Sequence, residues 1–371
     1  MTGRERVNMA LDHKEPDRVP RFDSFWSEMI DDYKAHLGLD KSATIIDVND
    51  KFGFDMEMYN LDCSMRFPAK VVEETDEIVI VTDRCGYTAR KYKNSPLSEF
   101  YDHLNTDYET WQTMKHRFNL DTSDTTRIDN THTFLRTTPM PAWEESAAKF
   151  KNSLSSGRFV AINGYGPYEG TWRHRGYENL LMDLVLDEKY CHEMFSVMMD
   201  LTIEVLEYGM SLGIKPDGYF LTDDLGSTRS TLFSPETYRK MIFPYHKQLG
   251  DFLHKHGIRY LIHSCGNIES FLPGFIEAGI EAVQPLQANT TMDIAKLKKE
   301  YGADITFWGN ISAIAMETGF AEIEKEISTK VPLAMKGGGY IYHSDHSVPL
   351  DVPFENYEYV IKMLDKYGVY K

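Results

Sequence analysis

The stretch Tyr260-Leu261-Ile262-His263-Ser264-Cys265-Gly266 has the pattern of a short apolar strand that ends in an imidazole and a thiol. His263 and Cys265 are two positions apart, so on a strand both side chains point to the same side of the pleat. Gly266 ends the run, which places the pair where a strand gives way to a loop. Imidazole and thiolate are good zinc ligands, but two ligands do not make a site. Other parts of the chain must therefore bring further groups to this strand end.

Seven more apolar or β-branched runs are spaced along the chain, with helical patterns between most of them. The eight predicted strands are 19–25, 55–61, 159–163, 218–222, 260–262, 282–286, 305–308 and 339–343. The predicted helices include one that begins at a Thr2-x-x-Glu5 capping box and ends near Leu11, and 178–212, 235–256, 268–278, 292–299 and 321–335. Strands that alternate with helices imply a parallel sheet. Eight such units favour a closed (β/α)8 TIM barrel, in the α/β class, over an open doubly wound sheet.

Residues 63–157 interrupt this alternation between the second and third runs. Segments 77–81 and 87–90 are joined across Asp83-Arg84-Cys85-Gly86, a pattern typical of a β-hairpin. Residues 96–157 are polar, aromatic and weakly helical. We interpret 63–157 as an insertion of a hairpin and helices at the barrel mouth, within a single domain that spans 1–371.

The composition limits the classes of partner. With 371 residues, 42% of them hydrophobic, the chain is long enough to bury a large core. A net charge of −17 without a basic cluster argues against nucleic acid or an anionic membrane surface as partner. We expect no membrane span and no signal peptide, because no apolar run has the required length. Four scattered cysteines fit a reducing cytoplasm.

Polar and ionisable groups follow nearly every predicted strand, whereas the interiors of the runs are apolar. In a (β/α)8 barrel the carboxyl ends of the strands meet at one face, which carries the active site. The catalytic candidates at these ends are Asp62, Glu169, Asp223 and Asp224, and the candidates for binding substrate or cofactor are Tyr165, Gln287, Trp308 and Asn310. Neighbouring residues of a strand point to opposite faces, so at most one of Asp223 and Asp224 is expected to face the interior. The alternatives are a helix cap for the aspartate pair and a surface position for Glu169.

His263, Cys265 and His346, which follows the eighth run, form the candidate metal site. A catalytic zinc ion takes three protein ligands and leaves a position for water or substrate. The plainer alternatives are a core histidine bonded to a carbonyl for His263 and a small buried hydrophobe for Cys265. His343 competes with His346, but only His346 lies beyond the end of its run.

Several motifs occur in the order found in one known group of proteins. They are Arg4-Glu5-Arg6-Val7 with Glu15-Pro16-Asp17-Arg18-Val19-Pro20, Asp223-Asp224-Leu225-Gly226-Ser227 with Ser234-Pro235-Glu236, His263-Ser264-Cys265-Gly266-Asn267, Phe307-Trp308-Gly309-Asn310-Ile311, and Pro349 followed by Val352-Pro353-Phe354-Glu355-Asn356-Tyr357. Through them the sequence resembles the uroporphyrinogen decarboxylase superfamily, a (β/α)8 family, over nearly its full length.

The resemblance leaves two chemistries open. Decarboxylases of the superfamily use no metal and grip the carboxylates of the substrate with an arginine-rich segment after the first strand. That segment here is Arg21-Phe22-Asp23-Ser24-Phe25-Trp26, so the grip is missing, although Asp62 falls where that branch places its substrate-binding aspartate. Cobalamin-dependent methyltransferases of the superfamily bind zinc through His-x-Cys and a later cysteine. His263 and Cys265 match the pair and His346 stands in place of the later cysteine, which favours the methyltransferase branch.

The resemblance thus implies transfer of a methyl group between a small methylated substrate or thiol acceptor and a corrinoid (cobalamin), with zinc as Lewis acid. The chain has no Asp-x-His-x-x-Gly signature, so we expect the corrinoid on a partner protein. Asp223 or Asp224 would orient His263 or exchange a proton with the leaving group. The first alternative is a metal-free decarboxylase of an aromatic or pyrrolic carboxylic acid, with Asp62 stabilising positive charge. A ligand-binding barrel without catalysis is the second, and the assembly, a homodimer included, is left open.

Overall fold

A mostly parallel sheet of eight strands organises the chain. A computed structural model describes residues 1–93, 98–121, 125–130 and 139–371. Its strands are β1 (Met56–Leu61), β2 (Lys70–Glu74), β3 (Ile78–Thr82), β4 (Thr88–Tyr92), β5 (Ser98–Tyr101), β6 (Ile128–Asp129), β7 (Phe159–Tyr165), β8 (Gly218–Thr222), β9 (Arg259–His263), β10 (Ala282–Gln284), β11 (Thr306–Trp308) and β12 (Tyr340–Ile341). The parallel order is β1-β7-β8-β9-β10-β11-β12, and β6 pairs antiparallel with β1. The predicted α/β class with a parallel sheet is confirmed.

Helices lie between most of these strands. They are α1 (Gly3–Leu11), α2 (Ile30–His36), α3 (Ile45–Lys51), α4 (Tyr108–Met114), α5 (Trp143–Ser155), α6 (Pro167–Arg175), α7 (Tyr177–Leu186), α8 (Glu188–Ser211), α9 (Pro235–Thr237), α10 (Phe243–Lys255), α11 (Leu272–Ala278), α12 (Ile294–Tyr301), α13 (Ala313–Thr318), α14 (Phe320–Met335) and α15 (Phe354–Tyr367). Short 3-10 helices span Ser27–Met29, Lys115–Arg117 and Glu269–Phe271, and a π-helical turn spans Tyr238–Ile242. None of the helices in the described residues has the length and apolar character needed to cross a membrane.

Local sequence signals explain where several helices begin and break. The Thr2 hydroxyl accepts a hydrogen bond from the backbone N of Glu5, whose carboxylate accepts one from the backbone N of Thr2, so the predicted capping box is confirmed. The predicted helix 178–212 is two helices, because Asp187 leaves helical geometry and caps α8 by accepting from Tyr190 N. The predicted helix 235–256 corresponds to α9, the π-helical turn and α10, which follow one another without a gap.

The first predicted strand, 19–25, forms single bridges and no ladder. Tyr342 N donates to Pro20 O (2.8 Å), and Phe22 N donates to Tyr342 O (3.2 Å). On the other side, Asp55 N donates to Arg21 O (2.8 Å). The run therefore lies between β12 and β1, at the position of the first strand of a (β/α)8 barrel, but a regular closing ladder is not formed there.

A second sheet, with the order β2-β3-β4-β5, is antiparallel and comes from the chain between β1 and β7. The pairing of β3 with β4 confirms the predicted hairpin. The strands β2 to β5, α4 and α5 all fall within 63–157. That these residues are an insertion in a single domain stays a prediction.

Asp55 fastens the first run to β1. Its carboxylate is 3% exposed and accepts hydrogen bonds from Arg21 N (2.8 Å), Arg18 Nη1 (2.7 Å) and Arg6 Nη1 (3.1 Å). This one side chain therefore joins α1, the first run and the start of β1.

We expect Asp55→Asn to lower the free energy of unfolding by about 3 kcal/mol, because it removes the charge that two largely buried guanidinium groups share. Urea unfolding at pH 7 measures the change. The control Asp251→Asn removes an exposed pair with Lys247 and should cost no more than about 0.5 kcal/mol. Equal losses in the two variants would contradict this role of Asp55.

Candidate metal centre and active site

A cavity of about 400 Å³, here called the metal cavity, opens at the carboxyl ends of the parallel strands. Its polar wall consists of Ser24, Asn60, Asn163, Thr222, Asp224, His263, Cys265, Gln284, His343, His346 and Ser347. Its apolar wall includes Phe22, Met58, Phe220 and Trp308. The volume and the mixture of apolar walls with a few converging polar groups are typical of a site for a small molecule.

Three potential metal ligands meet in this cavity. His263 Nε2 lies 3.4 Å from Cys265 Sγ and 3.3 Å from Asp224 Oδ1, and the ligand atoms of all three residues lie within 4.8 Å of one another. With zinc bonds of about 2.3 Å to sulfur and about 2.0 to 2.2 Å to nitrogen and oxygen, tetrahedral ligands are about 3.5 Å apart. The donor atoms and their spacing therefore fit a zinc ion.

The loops after β8 and β9 hold this group by close backbone packing. A Cβ on Gly226 would lie 2.6 Å from Cys265 O, and a Cβ on Gly266, whose φ is +81°, would lie 2.6 Å from Ser227 N. Only glycine permits this approach without strain. Asp224 Oδ1 accepts a hydrogen bond from Cys265 N (2.8 Å), which fixes the carboxylate beside the thiol.

Behind His263, a chain of hydrogen bonds fixes the imidazole. His263 Nδ1 is bonded to Gln284 Oε1, and Gln284 Nε2 donates to His343 Nε2 (3.1 Å). His343 Nδ1 in turn donates to Ser344 O (2.6 Å) and lies 3.4 Å from Asp23 Oδ1. With its Nδ1 proton engaged, His263 presents Nε2 to Cys265 and Asp224, as a metal ligand would.

The surroundings of His263 and Cys265 favour a protonated imidazole beside a thiolate. Burial opposes a charge on the imidazole, but Cys265 and Asp224 outweigh burial and raise the pKa of His263. Burial likewise opposes the thiolate, but His263 lowers the pKa of Cys265. A bound cation would take the place of the shared proton. His346 is an exposed residue on the cavity wall, and its hydrogen bond with the Cys265 thiol raises its pKa.

Asp223 and Asp224 point to opposite sides, as expected from strand geometry. Asp224 lines the metal cavity, whereas Asp223 is fully buried behind its wall. Asp223 Oδ2 is bonded to His246 Nε2 (2.9 Å), and Oδ1 accepts from Glu169 N (2.7 Å). Burial raises the pKa of Asp223. Asp223 thus ties the end of β8 to α6 and α10.

Glu169 is buried on α6, so the surface position that its loop-like sequence suggested is wrong. Its carboxylate is bonded to Arg173 and accepts from Trp172 Nε1 (2.8 Å). Burial raises its pKa. Glu169 does not line the metal cavity.

Asp62 belongs to a different, smaller cavity of about 60 Å³, which Tyr165 also lines. Its carboxylate is 2% exposed and lies 3.1 Å from Arg84 Nη1 and 3.4 Å from Arg66 Nε. Burial would raise its pKa, but Arg84, Arg127 and Arg66 outweigh burial and lower the pKa of Asp62 to about 2. Its negative charge is already compensated within the protein.

The remaining candidates divide between cavity and scaffold. Trp308 lines the metal cavity. Gln287 instead accepts a hydrogen bond from Gly266 N (2.9 Å), and Asn310 Nδ2 donates to Leu286 O (2.8 Å), so neither side chain lines the metal cavity.

Gln284 and Asp23 were not among the site residues predicted from the sequence, and His343 was considered but set aside in favour of His346. The sixth strand was predicted to end at Leu286, but it ends at Gln284, because Pro285 has no N–H and Leu286 adopts a φ of +58°. Gln284 is the one polar residue inside that apolar run, and this was the signal that could have identified it.

Comparison with known proteins gives a family and a fold. The sequence model of the family described as Uroporphyrinogen decarboxylase (URO-D) matches residues 169–367, more than half of the chain. The uroporphyrinogen decarboxylase of Carboxydothermus hydrogenoformans is 25% identical over 173 residues, 47% of this chain and 47% of that protein, so the match spans about half of the relative's length. A methyltransferase from Methanosarcina mazei has a similar structure, with a TM-score of 0.67, 14% identity and coverage of 99% of both chains. At that identity the likeness shows the fold.

We expect the contribution of Asp62 to stability to depend on pH. Its pKa is about 2 in the folded chain and about 3.9 when unfolded, so its charge stabilises the fold above about pH 5 and stops doing so as the pH falls towards 2. Asp62→Asn should lower the free energy of unfolding by about 2 kcal/mol at pH 7, and by clearly less at pH 3. Urea unfolding of both proteins at the two pH values measures this. A loss that is the same at both would show that the charge is not its cause.

Proposed function

We propose that this chain, which belongs to the uroporphyrinogen decarboxylase family, is a zinc-dependent methyltransferase. It would move a methyl group between a small methylated substrate or thiol acceptor and a corrinoid carried by a partner protein. The observation that carries the proposal is the group formed by Asp224, His263 and Cys265 in the wall of a cavity at the strand ends. The group combines a thiol, an imidazole and a carboxylate at spacings suited to one zinc ion.

The residues of the chain have distinct parts in this proposal. His263 and Cys265 would hold the zinc, with Asp224 as the third ligand. When bound, zinc supplies a Lewis acid that lowers the pKa of a thiol or polarises the atom that carries the methyl group. Gln284 keeps Nε2 of His263 directed at the site. Exposed His346, which lines the same cavity, is placed either to complete the ligand set or to exchange a proton with the substrate.

The apolar wall of the metal cavity suits a methyl group. Phe220 and Trp308 pack with ring centroids 5.0 Å apart, and both line the cavity with Met58. Such a wall reduces the water around the reacting carbon.

A metal-free decarboxylase is the alternative. It requires Asp62 to stabilise positive charge that develops on the substrate. Arg66 and Arg84 already compensate that carboxylate, which is nearly inaccessible, so Asp62 has little charge to offer. This arrangement favours the methyltransferase.

We further propose that the protein works in the cytoplasm, next to its corrinoid partner. All four cysteines are free, which suits a reducing compartment.

We expect the purified protein to hold about one zinc ion per chain, and His263→Ala and Cys265→Ser to lose most of it, because each removes a ligand. Metal analysis after dialysis measures this. If Asp224 is the third ligand, Asp224→Asn weakens zinc binding more than His346→Ala does; the reverse order would assign His346. The control Cys191→Ser changes a buried thiol on α8 and should keep its zinc. Unchanged zinc in both His263→Ala and Cys265→Ser would end the proposal.

Methyl transfer is tested directly with the zinc-loaded protein and free methylcobalamin. We expect a thiol acceptor to be methylated at a rate that Cys265→Ser lowers at least a hundredfold, because loss of the thiolate ligand disturbs the site that activates the acceptor. The absorbance of the cobalamin follows the reaction. Release of carbon dioxide from an aromatic acid by zinc-free protein, without methyl transfer, would instead identify a decarboxylase.

A further inference from the structure

The first run and β1 diverge towards the carboxyl ends of the strands. Near the start of β1 the two are bonded, because Asp55 N donates to Arg21 O (2.8 Å). Further along, the first run bonds to its opposite side, where Val348 N donates to Ser24 O (2.8 Å). There β6 takes the place beside β1 and pairs antiparallel with its last two residues. A wedge-shaped gap is therefore left between the first run and β1.

A cavity of about 320 Å³, here called the wedge cavity, occupies this gap. Residues of the first run, β1, α3 and the chain after β6 line it. Phe22, Ser24, Met58 and Asn60 line the metal cavity as well, so the two cavities adjoin. At the other end of the wedge cavity, Ile45 of α3 is 38% exposed, so the cavity reaches the surface. A single small molecule can therefore occupy both cavities.

An aromatic wall continues from one cavity into the other. The ring of Phe25, in the wedge cavity, is held by an edge contact with Tyr357, with ring centroids 4.9 Å apart. The ring centroid of Phe22, which lines both cavities, is 6.0 Å from that of Trp308, and Trp308 is 5.0 Å from Phe220 in the metal cavity. Fixed rings of this kind give a flat apolar group a large contact area.

Two asparagine side chains offer uncharged hydrogen-bonding groups to a ligand. Asn60 lies at the border of the two cavities, and Asn130 lies in the wedge cavity. Both are half-buried and so remain accessible, and neither side chain has a hydrogen-bond partner among the described residues. An amide both donates and accepts, so the two side chains suit a hydroxyl, ether or carbonyl group.

The two carboxylates of the wedge cavity are buried and bonded within the protein. Asp23 accepts a hydrogen bond from Ser344 Oγ (2.6 Å), and Glu57 accepts one from Arg158 Nη1 (3.2 Å). Among the described residues that line the two cavities there is no lysine or arginine. A carboxylate or sulfonate on the substrate would therefore lose its hydration beside acidic groups and gain no basic partner there.

We infer that the methylated substrate is an uncharged molecule with a flat, mostly apolar body, such as the methyl ether of an aromatic ring. Its body lies in the wedge cavity, and its methyl group lies in the metal cavity. This inference rests on the proposed function. Asn60, at the border of the two cavities, lies beside the body of the substrate and contributes to the choice of an uncharged one.

Three ligands of similar shape test the charge preference on zinc-free protein at pH 7: 4-methoxybenzyl alcohol, the anion 4-methoxybenzoate and protonated 4-methoxybenzylamine. Calorimetric titration in about 0.5 M salt, which screens the net charge of the chain, should show that the alcohol binds most tightly, at least tenfold more than the benzoate. Asn60→Asp keeps the size of the side chain and adds a carboxylate, so it should raise the affinity for the amine relative to the alcohol at least tenfold. The control Asn152→Asp adds the same charge at an exposed position on α5 and should leave the order unchanged. Absent binding of the alcohol, tighter binding of either charged ligand, or an unchanged ratio in folded Asn60→Asp would overturn the inference.

A second pair of variants tests the place of binding and separates this inference from the proposed function. Ile46→Trp fills part of the wedge cavity and should weaken binding of 4-methoxybenzyl alcohol at least tenfold, with zinc binding unchanged. The control Ile314→Trp changes an isoleucine on α13 that is 60% exposed and lines neither cavity, so it should bind the alcohol normally. If zinc binds but folded Ile46→Trp binds the alcohol as tightly as the unchanged protein does, the wedge site is wrong and the metal centre stands. If the alcohol binds as expected but zinc does not, the proposed function fails and the wedge site stands as a ligand site.

Discussion

The register of four parallel strands is the constraint on which the site depends. Tyr165, Thr222, His263 and Gln284 are direct partners across β7, β8, β9 and β10. Because neighbouring strands are about 4.8 Å apart, this pairing brings the carboxyl ends of the strands level. A shift of β9 by one residue would turn His263 and Cys265 to the opposite face. The pairing of the strands therefore decides which side chains face the site.

The loops after these strands hold Asp224, His263 and Cys265 in one fixed arrangement. Gly226 and Gly266 let the two loops touch, and Asp224 then reaches the backbone of Cys265. On the other side of β8, fully buried Asp223 and His246 bind the strand end to α10. A buried pair of this kind contributes little net stability, but removing one partner is costly, so it specifies one arrangement of the loop. Because the loop is fixed, the potential ligand atoms of Asp224, His263 and Cys265 are already in place before a metal binds.

The sequence was sufficient for what depends on periodicity. The run 218–222 is β8 residue for residue, and the alternation of strands and helices predicted the parallel sheet. The sequence was insufficient where contacts between distant segments decide how a segment is bonded or where its side chains point. Nothing local shows that 19–25 bonds to β12 and β1 by single bridges. Beyond a strand end, position in the chain does not give direction in space, and so His343 was set aside although it supports the bond between Gln284 and His263.

Two candidate carboxylates, Asp62 and Asp224, follow strand ends, yet their surroundings give them opposite properties. Asp62, after β1, is enclosed by guanidinium groups and is nearly inaccessible. Asp224, after β8, is 39% exposed at its side chain and faces an imidazole and a thiol. A carboxylate that arginines have neutralised cannot stabilise a second positive charge well, whereas one beside an imidazole and a thiol adds to the affinity for a cation. The cation-binding groups of the metal cavity therefore lie at the ends of β8 and β9, and the carboxylate at the end of β1 is not one of them.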